Sequence, residues 1–202
     1  MAKPGDELYD IDARNDPFLA EYELARDFLR TPEWRQGLKE LEALAYRGSI
    51  MSILLVADDL RYGRMYAQDL PDAERWYQVA VESGSARGLF GLGLTHLLMD
   101  RFEDAIQDLQ AAIARNYPPA FNSLAGIYSR GDGVPVDRRR AVELWRKGAS
   151  LGHLQSKQNL MQQSLRGVLG PWRFVLGVIA FVPVVIEIGT ARVMNPYSDR
   201  MR

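Results

Sequence analysis

Residues Ala120 to Gly152 read AFNSLAGIYSRGDGVPVDRRRAVELWRKGASLG, and this stretch decides the fold. Ala120, Leu124, Ala125 and Tyr128 fall on one face of a 3.6-residue period. Gly131, Gly133 and Pro135 then break the pattern. Asp137 is placed to cap a second helix, in which Ala141, Leu144, Trp145, Gly148 and Ala149 form one apolar stripe. Gly152 ends that helix as a glycine beyond a C-terminus does. A helix pair of this kind cannot bury its apolar face alone, so it is expected to recur.

It does recur. Aligned on its last residue, AVELWRKGASLG (141–152) matches GLKELEALAYRG (37–48), AERWYQVAVESG (73–84) and AIQDLQAAIARN (105–116). The fifth position is large and apolar: Leu41, Tyr77, Leu109, Trp145. The eighth is small in Ala80, Ala112 and Gly148, with Leu44 the misfit. Four residues after each breakpoint stand Ser52, Gly88, Ala120 and Ser156, all small. Small residues let neighbouring helices approach closely, and large ones fill the gaps beside them. The reading is an all-α solenoid of stacked helix-turn-helix units, a right-handed superhelix followed by a C-terminal hydrophobic helix.

The unit 120–152 resembles the Sel1-like repeat, a relative of the tetratricopeptide repeat. The likeness is carried by Ala120, Leu124-Ala125, Tyr128, Gly131-Asp132-Gly133-Val134, Asp137, Ala141, Trp145, Lys147, Ala149 and Gly152. Residues 85–116 have a shortened turn at Met99-Asp100-Arg101 and are closer to the tetratricopeptide form, and residues 49–84 carry an irregular turn. The resemblance implies an adaptor that holds protein assemblies together, often at membranes. In bacteria it further implies envelope or polysaccharide machinery. Three segments are expected: an acidic arm and helix over 1–31, the repeats over 32–165, and a hydrophobic tail over 166–202.

Composition narrows the function. The 202 residues carry a net charge of −1, which gives no electrostatic footprint for nucleic acid. There is no cysteine, hence no disulfide, thiol nucleophile or cysteine metal site. The N-terminus lacks the basic and apolar regions of a secretory signal, so the repeats are expected on the cytoplasmic side. Charge is segregated: residues 1–33 hold nine acidic and four basic side chains, and residues 137–173 hold eight basic and two acidic. Residues 1–16 read as a loose polar arm, Pro17 as the start of a helix, and Thr31-Pro32-Glu33 as the opening of the next.

The basic block lies just before the most apolar stretch. Residues 174–186 are uninterrupted apolar, and 172–191 is long enough to span a bilayer. Trp172 suits an interface, Arg173 can snorkel, Phe174 and Phe181 lie within, Pro183 interrupts, and Glu187 needs an interface, a proton or a partner. Three readings stay open for the tail: a spanning anchor, an in-plane or hairpin element broken at Pro183, and an apolar helix packed on the solenoid or a partner. The expected partners are therefore a protein, itself a membrane protein or complex, and the lipid bilayer, with no small-molecule substrate. Arg138, Arg139, Arg140, Arg146 and Lys147 form a basic surface that is either a solvated face or a contact for anionic headgroups or an acidic partner.

No catalytic constellation emerges. His96 falls at the tyrosine position of its unit and reads as a packing or interhelical residue, and His153 as a residue just past a helix end. The two histidines lie far apart and without a carboxylate cluster, so no metal site is expected. Asp58-Asp59 are adjacent on a helix, about 100° apart around its axis, and poorly placed for paired acid/base work. Gly91-Leu92-Gly93 reads as a helix-contact pair, and Gly131-Asp132-Gly133 belongs to the repeat turn. No cofactor is expected. The favoured function is a non-enzymatic adaptor, with an accessory subunit of a membrane glycan-synthesis or export complex as the alternative and a soluble enzyme disfavoured.

Overall fold

The computed structural model describes residues 11–165. In this range lie α1 (Leu19–Phe28), α2 (Trp34–Tyr46), α3 (Ile50–Tyr62), α4 (Leu70–Glu82), α5 (Ala86–Leu98), α6 (Phe102–Ala114), α7 (Pro118–Arg130), α8 (Arg138–Ser150) and α9 (Leu154–Leu165). No strand occurs among the described residues. The chain is an α-solenoid of stacked helix pairs.

The repeat register is written in the backbone. Gly48, Gly84, Asn116 and Gly152 all take a left-handed conformation, with φ of 95°, 88°, 57° and 85°. Asparagine is the residue that best replaces glycine there, which is why Asn116 stands in a row of glycines. The same hydrogen bond closes each junction: Ser49, Ser85, Tyr117 and His153 donate their N–H to the carbonyls of Leu44, Ala80, Ala112 and Gly148. The helices that follow start on good caps where the sequence allows. Ser49 and Ser85 accept from the amides of Ser52 and Gly88, and Asp69 and Asp137 do the same for α4 and α8.

Consecutive helices pack in pairs, and each odd-numbered helix from α1 to α7 also touches the next odd one. The odd helices therefore form the inner layer and the even ones the outer. The small residues sit where the layers meet. Gly37, Ala73, Ala105 and Ala141 are buried at the fourth position of α2, α4, α6 and α8, and Leu41, Tyr77, Leu109 and Trp145 fill the eighth. Gly91 and Gly93 separate the two faces of α5: the first abuts the Tyr77 ring of α4, the second Leu109 and Ala105 of α6. Leu44 is buried as well, in a cluster with Tyr22 and Ala25 of α1, so the misfit is absorbed by the first pair.

Three local readings need correcting. The segment 11–16 is no loose arm: residues 11–14 form a helical turn, and Asp12, Ala13 and Asp16 are buried. Pro17 precedes α1 by two residues. Thr31 does not open α2. Its hydroxyl donates to Phe28 O at 2.9 Å and accepts from Glu33 N at 3.2 Å, closing the end of α1, and α2 begins at Trp34.

Among the described residues no helix is long and apolar enough to cross a membrane. The apolar stretch 172–191, with Trp172, Arg173, Phe174, Phe181, Pro183 and Glu187, lies outside the described residues.

Candidate functional site

The inner layer encloses two adjoining hollows. One, of about 350 Å³, lies between α5, α7 and α9; the other, of about 270 Å³, extends it toward α3. They share Leu94, Leu97 and Arg130 and form one groove. Its α3 end is apolar, with Leu98 at 52% and Tyr62 at 49% exposure.

The α9 end is lined with uncharged polar groups: Asn122, Ser123 and Ser129 from α7, and Asn159, Gln162 and Gln163 from α9. Asn159 Nδ2 donates to Asn122 Oδ1 at 2.8 Å, which orients both amides and leaves the Asn122 Nδ2 and the Asn159 Oδ1 for further bonds. Trp145 enters from α8. It is 5% exposed, and its indole N–H is buried with no acceptor among the described residues. A buried donor without a partner costs about 1–3 kcal/mol, a cost an incoming acceptor removes. Arg130, at the rim, is engaged by Asp132 at 2.5 Å.

Behind the groove, a charged network ties three helices together. Asp58 of α3 accepts from Arg61 Nη2 at 2.9 Å, from Tyr77 Oη of α4 at 2.5 Å and from Arg87 Nη2 of α5 at 2.6 Å. Arg61 Nε also donates to Tyr77 Oη at 3.1 Å. Burial opposes ionisation of Asp58, but Arg87, Tyr77 and Arg61 outweigh it and hold its carboxyl below the ordinary value. Burial, with Asp58 beside it, pushes the Tyr77 hydroxyl well up, so it stays a donor. Asp59 points the other way, accepting from the amides of Met65 and Tyr66 at 2.9 and 2.6 Å and shaping the turn after α3. The adjacent aspartates thus do separate structural jobs.

His96 has the interhelical role its position suggests, yet the sequence hid its partners. Its Nδ1 faces Asp108 of α6 at 2.7 Å and its Nε2 faces Glu74 of α4 at 3.0 Å. Carboxylates therefore do flank this histidine, one on each ring nitrogen. No group of histidine and carboxylates among the described residues is placed to hold a metal ion. Burial pushes the Asp108 carboxyl up; for Glu74 burial acts the same way, but hydrogen bonds from His96 and Arg101 prevail and hold it down.

The basic residues of α8 are not part of the groove. Arg138, Arg139, Arg146 and Lys147 are exposed on the outer helix, and the Arg140 guanidinium lies 4.2 Å from the Tyr128 ring centroid. Trp145 was legible only as a packing residue of the repeat, and the polar groove residues were missed because none of them sits in the repeat's apolar pattern. One signal was present: α9 reads LQSKQNLMQQSL, a helix with five asparagine or glutamine residues.

The Sel1 repeat family model matches residues 54–85 and 121–153, each ending at the first residue after a left-handed junction. The chain carries Sel1 repeats over these two stretches. The Sel1 match passes over the unit with the shortened turn at Met99-Asp100-Arg101. Solved structures agree on the fold. A Sel1 repeat protein from Oxalobacter formigenes superposes with a TM-score of 0.62 at 17% identity, over 81% of this chain and 75% of that one. A protective antigen of uropathogenic Escherichia coli with an SLR fold does so with a TM-score of 0.60 at 21% identity, over 83% of this chain and 37% of the antigen. At these identities the likeness is one of fold. No curated protein matches the Sel1-like chain. Repeats of this kind are in general protein-interaction scaffolds.

Proposed function

We propose that this Sel1-like protein is a non-enzymatic scaffold whose inner groove holds a segment of a partner protein, and that residues 172–191 bring it to a membrane. The observation that carries the first part is the α9 end of the groove. It offers neutral amides, a buried indole N–H that has no acceptor among the described residues and, among the same residues, no free charge on its floor. Groups of that kind match the alternating N–H and C=O of a main chain rather than a charged metabolite. The apolar end beside Tyr62 and Leu98 supplies room for a hydrophobic side chain of the same segment. The membrane part rests on the length and apolar character of 172–191 and on the basic residues before it.

One experiment separates the two parts: recovery of the full chain and its copurifying protein from the membrane fraction in mild detergent. Wild type is expected in that fraction with its partner. The variant Asn122→Ala/Asn159→Ala should stay in the fraction and lose the partner, since two hydrogen bonds at about 1 kcal/mol each weaken binding roughly ten-fold or more. The variant Ile179→Asp/Phe181→Asp should leave the fraction. Wild type that stays soluble without detergent contradicts the membrane part; undiminished partner recovery by the asparagine variant contradicts the groove.

A further inference from the structure

The turn 11–16 lies across the N-terminal ends of two inner helices. Asp16 accepts from Ser49 Oγ at 2.8 Å and from Met51 N at 2.7 Å, at the start of α3. Asp12 accepts from Ser85 Oγ at 2.9 Å, at the start of α5. Ser49 and Ser85 are the same register position one repeat apart, and the two aspartates are four residues apart. One helical turn thus reads the same serine in two successive repeats.

Its anchorage is almost wholly polar. Ala13 is the buried apolar side chain of the turn, whereas Ile11 is 47% exposed. A segment that buries so little apolar surface opens far more readily than the helices beneath it. Burial also pushes the Asp12 carboxyl above its ordinary value, although Ser85 and Arg87 favour its ionised form, so keeping that charge in place is costly. The surrounding edge is basic. Arg87 reaches from α5, Arg115 donates to Gly84 O at 2.7 Å beside Ser85, and Arg47 stacks 4.3 Å from the Phe18 ring centroid just before Ser49.

We propose that residues 11–16 are a displaceable internal occupant of a docking site for acidic helical segments. A partner segment with carboxylates four residues apart binds across Ser49 and Ser85 once this turn lifts. The site lies at the N-terminal edge of the inner layer and does not depend on the groove between α5, α7 and α9.

The test uses the full chain and a labelled peptide of residues 6–18. A tethered occupant competes at an effective concentration on the order of millimolar, so the peptide should bind the Asp12→Ala/Asp16→Ala protein at least about ten-fold more tightly than wild type. The same peptide with its four aspartates, Asp6, Asp10, Asp12 and Asp16, replaced by alanine should bind neither. Equal binding to both proteins, or binding to neither while the variant is folded by circular dichroism, overturns the proposal. A wild-type dimer in which one copy's turn fills its partner's site, seen as a concentration-dependent mass in light scattering, overturns the assignment to a partner protein. If the variant fails to fold, hydrogen exchange on wild type decides. Amides of the turn should exchange about a hundred-fold faster than those within α3, and equal protection rejects displacement.

Discussion

Gly91→Ala should destabilise the protein by about 2–3 kcal/mol, even though alanine is the better helix former by about 1 kcal/mol. Gly91 lies inside α5, where propensity alone favours the substitution. A Cβ there would stand 2.5 Å from Cζ of Tyr77, inside the ring's van der Waals envelope. The ring has nowhere to go, because Tyr77 is fully buried and its hydroxyl is fixed by Asp58 and Arg61. Overpacking therefore defeats propensity. Gly126 is the control. A Cβ at that position meets only the flexible end of the Arg130 side chain at 3.0 Å, so Gly126→Ala should gain up to about 1 kcal/mol. For a chain of this size each kcal/mol moves Tm by about 2–4 °C, so thermal melts should place the two variants on opposite sides of wild type.

Asp58→Ala should cost about 3 kcal/mol or more, because it strands groups rather than merely removing a contact. Arg61, Arg87 and the Tyr77 hydroxyl would all lose their shared acceptor, and the side chain of Arg61 is only 6% exposed. The effect has a pH signature. The folded-state carboxyl lies below its ordinary value of 3.8. Its contribution is therefore fully present above the unfolded value and is lost as pH falls through the lowered folded one. Denaturant melts of wild type and Asp58→Ala should run parallel above about pH 5 and converge in acid. A gap that persists unchanged into strong acid would show that the aspartate acts through packing and not through its charge.

These two sites mark where sequence reading succeeds and fails. The packing register was legible, because a close helix contact imposes a small residue at a fixed interval whatever its neighbours are. Gly91 and Gly93, Ala80 and Ala112, and the junctions at Gly84 and Asn116 all follow from that rule. The polar network was not legible. Asp58 meets Tyr77 and Arg87 across 19 and 29 residues, and Asp12 meets Ser85 across 73. Polar pairings have no period, so an aspartate in the N-terminal segment reads as a solvated charge until the fold brings a serine cap beneath it. His96 lies between these cases. Its repeat position announced an interhelical role, but Glu74 and Asp108 looked like ordinary surface carboxylates of α4 and α6. The groove is intermediate for a similar reason: its asparagines and glutamines lie on the face of α7 and α9 that the apolar pattern leaves blank.

We place partner recognition on the inner layer of the solenoid. The most direct test of that placement is site-specific photocross-linking of the full chain, with the photoreactive residue placed in turn at Ser123 and Gln162 inside the groove and at Gln78 and Gln110 on the outer helices. Both inner positions should cross-link to one and the same partner segment, and the outer positions should not. Cross-links to that partner from Gln78 or Gln110, with none from Ser123 and Gln162, would contradict it.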